Sequence, residues 1–167
     1  MIEVELSPEE IEVGKAIAVA RRTSAIDLGR KHRYGATDAS VDMDKETRGV
    51  LGEVACCKWL GVYWPNFGLV VGDVDCGVCE VRAVSKASHC LILHDRDDDN
   101  EAHVLAVVGP LPLVHLAGWI VGRAGKRLKN WSDPQKSNRH AYFVPPADLR
   151  PMEELPLYLA AKEEAAA

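Results

Sequence analysis

The sequence has no apolar run of the roughly 18 residues that would cross a bilayer. Its first ten residues, MIEVELSPEE, lack the basic region and apolar core of a signal peptide. Aromatic side chains make up only 6% of the chain, and the net charge is a modest −5. A chain with this net charge does not bind nucleic acid over its whole surface. We therefore expect a cytoplasmic globular protein with no membrane partner.

The chain has five cysteines, far fewer per residue than a disulfide scaffold. An odd number of cysteines in a chain without a signal peptide favours reduced thiols over a disulfide framework. Cys76 and Cys79 form a C-x-x-C pair, but a zinc site would need a second ligand pair. The nearest candidates, His89 with Cys90 or His94, do not repeat the usual spacing. A zinc-stabilised structural or interaction protein is thus the least favoured of three hypotheses.

What the sequence does contain is typical of one globular domain. Hydrophobic residues make up 47% of it and charged residues 27%. A chain of this length supports a single domain that buries close to 70% of its unfolded surface. Four apolar runs broken by turn residues predict strands at residues 90–93, 103–108, 114–120 and 141–144. We expect one domain over residues 1–167, with an N-terminal helix within 1–34, a core over 47–144 and a fraying tail helix over 152–167.

Two helices are predicted before these strands. Residues 7–10, SPEE, form a helix start with a capping hydroxyl, a first-turn proline and acids at the positive end of the dipole. This helix should run to about Arg33. A second helix is expected over residues 47–60, where the adjacent thiols of residues 56–57 are interpreted as small buried side chains. Residues 35–48 are polar and turn-rich, which predicts a solvated loop.

The most informative pattern lies in residues 73–84, where the sequence predicts two short strands and a tight turn. Glu80 and Arg82 are two apart on one strand, so their side chains leave the same face. Asp75 can stand opposite them, and Asp73, with the same parity, competes for that place. Mg²⁺ is commonly held by one or two carboxylates, water and a phosphate oxygen. The pattern fits a phosphodiester-cleaving metal site, and the alternative is a surface hairpin in which Arg82 bridges a carboxylate.

A helix with a glutamate, a strand-end aspartate and then Glu-x-basic resembles the PD-(D/E)xK, or restriction-endonuclease-like, nuclease superfamily, especially its small bacteriophage members. The pieces LGEVA, DVD and EVR carry the resemblance, and GWIVGR and AYFVPPADLRPM extend it. It implies an α/β fold with a restriction-endonuclease-like central mixed β-sheet flanked by helices. It also implies a phage-encoded, metal-dependent endonuclease that hydrolyses DNA phosphodiester bonds in the host bacterial cytoplasm, with RNA as an alternative substrate.

The resemblance also implies residue roles. Asp75 and Glu80 would ligate Mg²⁺ or Mn²⁺, helped by the carbonyl of Val81, and Glu53 would hold the metal directly or through water. Arg82 stands where the family usually has lysine. Because arginine stays charged, it can only position water or neutralise phosphate. A catalytically inactive nuclease-fold module that binds DNA or protein is therefore the alternative function.

Charge is unevenly distributed along the chain. Basic side chains that could contact phosphates cluster in residues 121–140, as Arg123, Lys126, Arg127, Lys129, Lys136 and Arg139, and in residues 21–33. The acidic run 95–101, DRDDDNE, is expected to be an exposed hairpin loop, because consecutive acids cannot all converge on one ion. Cutting both strands of a duplex would need two sites, which a homodimer could supply.

Overall fold

The structure is a computed structural model that describes residues 1–27, 39–64, 75–134, 136 and 138–166. Its helices are α1 (Pro8–Asp27), α2 (Ala39–Leu60), α3 (Gly122–Gly125) and α4 (Leu155–Ala166). Its strands are β1 (Ile2–Glu5), β2 (Glu80–Val84), β3 (Leu91–Leu93), β4 (Ala102–Val108), β5 (Leu113–Val121), β6 (Trp131–Ser132) and β7 (Ala141–Val144). Three short 3-10 turns lie at Leu128–Asn130, Pro146–Asp148 and Met152–Glu154.

The strands form two sheets. The larger sheet has the order β1-β5-β4-β2, in which β2 is parallel to β4 and the other neighbours are antiparallel. The smaller sheet is antiparallel, with the order β3-β7-β6. The expected mixed α/β class, with a mixed sheet and helices, is therefore confirmed. None of the described helices combines the length and the apolar character that crossing a bilayer requires.

The larger sheet is covered on both faces. On one face α2 packs against β2 and β4, so closely that a Cβ at Gly52 would lie 3.1 Å from the Cβ atoms of Ala83 and Ala106. On the other face Leu105 and Ile120 pack in a second cluster with residues of β3 and β7. This double cover explains why every residue of β4 is buried. Because side chains alternate along a strand, the side chains of neighbouring residues of β2 point to opposite faces of the sheet.

The four predicted strands agree with β3, β4, β5 and β7. The prediction missed β1, which pairs with β5 from Ile2↔Leu116 to Glu5↔Leu113. Val4 and Leu6 are buried and Ile2 packs against the same core, whereas Glu3 and Glu5 are exposed. This alternation is the strand signal that was overlooked at residues 2–6.

The start of α1 confirms the predicted cap. The Ser7 hydroxyl accepts a hydrogen bond from the Glu10 amide at 3.2 Å, and the Glu10 carboxylate accepts one from the Ser7 amide at 2.7 Å. This reciprocal pair is a capping box. The helix is described as far as Asp27, so its predicted end at Arg33 lies outside the described residues.

The solvated loop predicted over residues 35–48 is wrong from Ala39 onward, because α2 begins there. Residues 39–48 contain no proline or glycine, and Met43 packs against a cluster with Ile17, Ala18 and Val50. The helix therefore meets no breaking residue there and gains an apolar contact. The predicted end is confirmed: Gly61 has a φ of 67°, and the residues around it form the paired hydrogen bonds of a Schellman motif.

The acidic run 95–101 is not a hairpin loop. It connects β3 and β4, which belong to different sheets. Its backbone is tied to the start of α3, where the amides of Gly122 and Arg123 donate to the carbonyls of Glu101 and Asp99 at 2.9 and 2.8 Å. A Cβ at Gly122 would clash with the carbonyl of Asp98. The segment is thus a fixed corner between the two sheets rather than a freely solvated loop.

Candidate functional site

The start of β2 brings together three of the four predicted site residues. The Arg82 guanidinium lies 3.0 Å from Glu80 Oε2 and 3.9 Å from Asp75 Oδ2. Asp75 is held in place because its Oδ2 accepts a hydrogen bond from the Val81 amide at 2.9 Å. All three side chains are between one fifth and one third exposed. The result is a half-buried pocket of two carboxylates and one guanidinium.

The local backbone differs from the expected hairpin. Asp75 lies in a turn, and the strand next to β2 among the described residues is β4, in parallel with Glu80↔His103 and Arg82↔Leu105. The amide of Cys76 donates to the carbonyl of Cys79 at 3.1 Å, which closes a tight turn immediately before β2. The competing Asp73 lies outside the described residues. The turn, rather than a paired strand, therefore sets the position of Asp75 beside Glu80.

A third carboxylate in the pocket is Asp97, which the sequence interpretation assigned to an exposed loop. Its Oδ2 lies 3.4 Å from Arg82 Nη2 and accepts a hydrogen bond from the His94 amide at 2.9 Å. The Asp97 side chain is only 8% exposed. No local pattern distinguishes it from its acidic neighbours, because the corner between the sheets determines which acid turns inward.

Glu53 makes a different set of contacts. Its two oxygens accept hydrogen bonds from Arg21 Nη1 and Nη2 at 2.8 and 2.7 Å, and Oε2 also lies 3.3 Å from Trp64 Nε1. The Glu53 side chain is buried, which is unusual for a glutamate. Arg21 was interpreted as a phosphate contact, but it serves as the counter-ion of this carboxylate.

The sheet separates Glu53 from part of the pocket. Val81 and Ala83 of β2 face α2, so Glu80 and Arg82 leave the opposite face. Asp75, in the turn at the strand end, is near enough to both groups to raise the pKa of Glu53 and of Glu80. The structure thus joins Asp75, Glu80 and Arg82 directly and couples Glu53 to them through the charge of Asp75.

Burial shapes the ionisation of these acids. Desolvation raises the pKa of Glu80 to about 7, with a further contribution from the Asp75 charge. Desolvation likewise raises the pKa of Glu53 to about 7, against the opposing effect of Arg21. Buried His103, across from Glu80, has its pKa lowered by desolvation and by Arg82, so it is neutral near pH 7. Within the described residues, the three carboxylates leave an excess of two negative charges around one guanidinium once Glu80 is ionised, above about pH 7.

This arrangement fits a hard divalent cation. The donors are carboxylate oxygens, the type that Mg²⁺ and Mn²⁺ prefer, and the excess charge matches the charge of one such ion. Asp75 and Glu80 are the residues that would hold it. Glu53 fits a role through water better than direct ligation, because Arg21 and Trp64 already hold its oxygens. A cavity of about 290 Å³ opens beside Arg82, with His94 and Arg96 on its wall.

The predicted phosphate contacts of residues 121–140 divide into two groups. Lys126 is only 12% exposed and binds the acidic corner through the carbonyls of Asp95 and Asp97 and the carboxylate of Asp99. Its contacts stabilise the corner. The side chains of Arg123, Arg127, Lys129, Lys136 and Arg139 are exposed, and that of Lys129 pairs with Asp148. In the second basic stretch, Arg30, Lys31 and Arg33 lie outside the described residues.

An aromatic surface lies among these basic residues. Trp131 is 37% exposed and stacks on His140, with ring centroids 5.5 Å apart and planes at 19°. Its other neighbour is Tyr142, at 4.7 Å. Exposed aromatic rings beside basic side chains are the usual platform for unpaired bases. The sequence offered no signal for this platform, because residues 131 and 140 meet only through the pairing of β6 with β7.

Comparisons with known proteins add no relative. No protein-family model matches the chain, and searches of the curated proteins and of the solved structures found no match.

Proposed function

We propose that this protein is a divalent-metal-dependent nuclease with a restriction-endonuclease-like fold and that its substrate is DNA. One observation carries the proposal: Asp75 and Glu80 converge on Arg82 at the start of β2, the strand that pairs with the central strand β4, with Glu53 on the adjacent helix. This combination of residue types supplies metal ligands and a phosphate-binding cation in one half-buried pocket. The mixed sheet with α2 on one face is compatible with the resemblance seen in the sequence.

The proposed role of each residue in phosphodiester hydrolysis follows from the chemistry of its side chain. A bound Mg²⁺ or Mn²⁺ would supply Lewis-acid stabilisation of the scissile phosphate and lower the pKa of water. Asp75 and Glu80 would hold the ion. Arg82 neutralises negative charge on the phosphate, since a guanidinium does not lose its proton near neutral pH. Glu53, fixed by Arg21, orients water at the edge of the pocket.

The nucleic acid would extend from this pocket across the basic and aromatic surface. Arg127, Lys129 and Arg139 supply charge, and Trp131 supplies an exposed ring for an unpaired base. A single-stranded or partly opened substrate suits such a surface better than a closed duplex. Competition between single-stranded and double-stranded oligonucleotides therefore tests the surface separately from the chemistry.

The direct experiment is cleavage of single- and double-stranded DNA, with RNA in parallel, in the presence of Mg²⁺ or Mn²⁺. We expect nicks or breaks that disappear in Glu80→Gln and Asp75→Asn, which keep the side-chain shape but lose the charge. Glu12→Gln is the matched control, because Glu12 is exposed and pairs with Lys15 in a surface contact at 2.7 Å. No cleavage by the wild type, or equal cleavage by Glu80→Gln, would contradict the proposal.

The second candidate is a nuclease-fold module that binds DNA without cutting it. Arg82 favours it, because this guanidinium already contacts both proposed metal ligands. Binding by such a module should fall steeply with salt and need no divalent ion. Metal-independent binding of DNA, without cleavage under any of these conditions, would establish this alternative.

A further inference from the structure

Three buried cysteines meet in the core beside the turn that carries Asp75, and a fourth buried cysteine is adjacent to one of them in sequence. Cys56 and Cys57 lie on α2, and Cys76 and Cys79 flank the turn before β2. The sulfur atoms of Cys56, Cys76 and Cys79 all lie within 4.8 Å of one another. Cys57 lies outside this group of three, but its thiol is near enough to raise the pKa of the Cys76 thiol. The helix therefore adds Cys56 to the C-x-x-C pair, and Cys57 is the candidate for a fourth ligand.

The spacing is that of a single tetrahedral ion. A Zn–S bond of about 2.3 Å in a tetrahedral site places neighbouring sulfur atoms about 3.8 Å apart. The measured separation between Cys56 Sγ and Cys79 Sγ is 3.8 Å. A multi-iron cluster needs room for several metal and sulfide atoms between its thiolates, so sulfurs this close favour one ion. Thiolate ligands select zinc over the hard cations that suit the carboxylates.

We propose that Cys56, Cys76 and Cys79 bind one zinc ion, with Cys57 as the fourth ligand. Such a closed thiolate site is structural, because it leaves no position for a substrate. It joins α2 to the turn whose two ends carry the carboxylates: Cys76 follows Asp75, and Cys79 precedes Glu80. Gly77, with a φ of 71°, provides the left-handed residue in this turn. The ion would fix the separation of Asp75 and Glu80.

The first test is the metal content of the full chain purified under reducing conditions. We expect about one zinc per chain, as in closed structural sites. After chelation, titration with Co²⁺ should give intense thiolate-to-cobalt charge-transfer absorption and the ligand-field bands of a tetrahedral site. A chain that holds no zinc and shows no such bands would overturn the proposal, as would iron with inorganic sulfide or a disulfide between Cys56 and Cys79.

Single substitutions locate the ligands. Cys56→Ser and Cys79→Ser should lose bound zinc, whereas Cys90→Ser, outside the cluster, should retain it. Cys57→Ser should keep one cobalt but shift its absorption, because an oxygen or water replaces one sulfur. Should the ligand variants fail to fold, the wild-type zinc content and cobalt spectrum still decide the matter. An unchanged spectrum in Cys57→Ser would overturn the assignment of the fourth ligand.

The proposal stands apart from nuclease activity. Zinc content, cobalt absorption and thiol reactivity are all measured without nucleic acid. A zinc-loaded chain that cuts no DNA or RNA would refute the nuclease and leave the thiolate site established. A zinc-free chain that cuts DNA would do the reverse.

Discussion

The Arg21–Glu53 pair makes a strong prediction about stability, since replacing Arg21 by methionine leaves a buried carboxylate without its counter-ion. Both side chains are nearly inaccessible, at 13% and 6% exposure, and the contact is bidentate, with distances of 2.8 and 2.7 Å. Breaking a buried pair by removing one partner typically costs about 3–5 kcal/mol. We expect Arg21→Met to lose this much free energy of unfolding at about pH 8, where Glu53 carries its charge.

The loss should shrink in acid, and the sign follows from the pKa of Glu53. Burial raises this pKa from 4.5 to about 7 in the folded protein. The folded state therefore binds more protons than the unfolded state over this window, and the contribution of Glu53 to stability decreases as the pH rises through it. The shift corresponds to roughly 3 kcal/mol, which is of the same order as the loss expected from the mutation. At about pH 5.5 Glu53 is protonated in wild type and variant, so Arg21 contributes less.

Urea unfolding at the two pH values, under reducing conditions, measures both effects. Lys15→Met is the control on the same helix, because its pair with Glu12 is exposed and worth less than about 1 kcal/mol. The double variant Arg21→Met/Glu53→Gln should recover part of the loss, since it removes the uncompensated charge. A loss below about 1 kcal/mol at pH 8, or an equal loss at pH 5.5, would refute this account of the pair.

Three further predictions concern the sheet and the pocket. Gly52→Ala should cost about 1–3 kcal/mol in urea unfolding, because its Cβ would press on two alanines of the sheet. Gly49→Ala, with open space around it, should be neutral or stabilise by up to about 1 kcal/mol; equal effects would contradict this. His103→Leu should be neutral or stabilising near pH 8, because the buried ring nitrogens make no well-formed hydrogen bond within the described residues. The wild type should lose stability below about pH 6.5, because the lowered pKa of His103 makes the folded state bind fewer protons than the unfolded state. This loss should be smaller in His103→Leu, and a destabilised variant would refute the prediction. Mn²⁺ affinity, followed by electron paramagnetic resonance, should rise between about pH 6 and 8 as Glu80 ionises; a flat profile would count against Glu80 as a ligand.

Local sequence signals predicted the elements that local physics determines. The helix start at residues 7–10, with its capping hydroxyl, and the end of the second helix at residue 60 depend only on residues near in sequence, and both were confirmed. The first two turns of α2 were missed for the opposite reason. Their stability depends on Met43 meeting α1, a tertiary contact that no periodicity within residues 39–48 reveals.

The candidate site also combines residues that local sequence predicts with residues that tertiary structure positions. Glu80 and Arg82 share a face because they are two apart on a strand, and this was predictable from the sequence alone. Asp97 was interpreted as a solvated acid because its neighbours are acids. It turns inward only because the chain changes sheets between β3 and β4, and a local pattern carries no information about that corner.

The excess negative charge of the pocket bears on its two interpretations, a cation site and a simple bridge between surface residues. Asp75, Glu80 and Asp97 surround one guanidinium. Desolvation raises the pKa of Glu80, and the charge of Asp75 raises it further, so repulsion adds to the tendency of Glu80 to hold a proton. A divalent ion would relieve the same repulsion and release that proton. An ion-pair network built only for stability would gain from a second base instead. The unbalanced charge therefore favours a pocket that binds a cation over one that simply bridges surface residues.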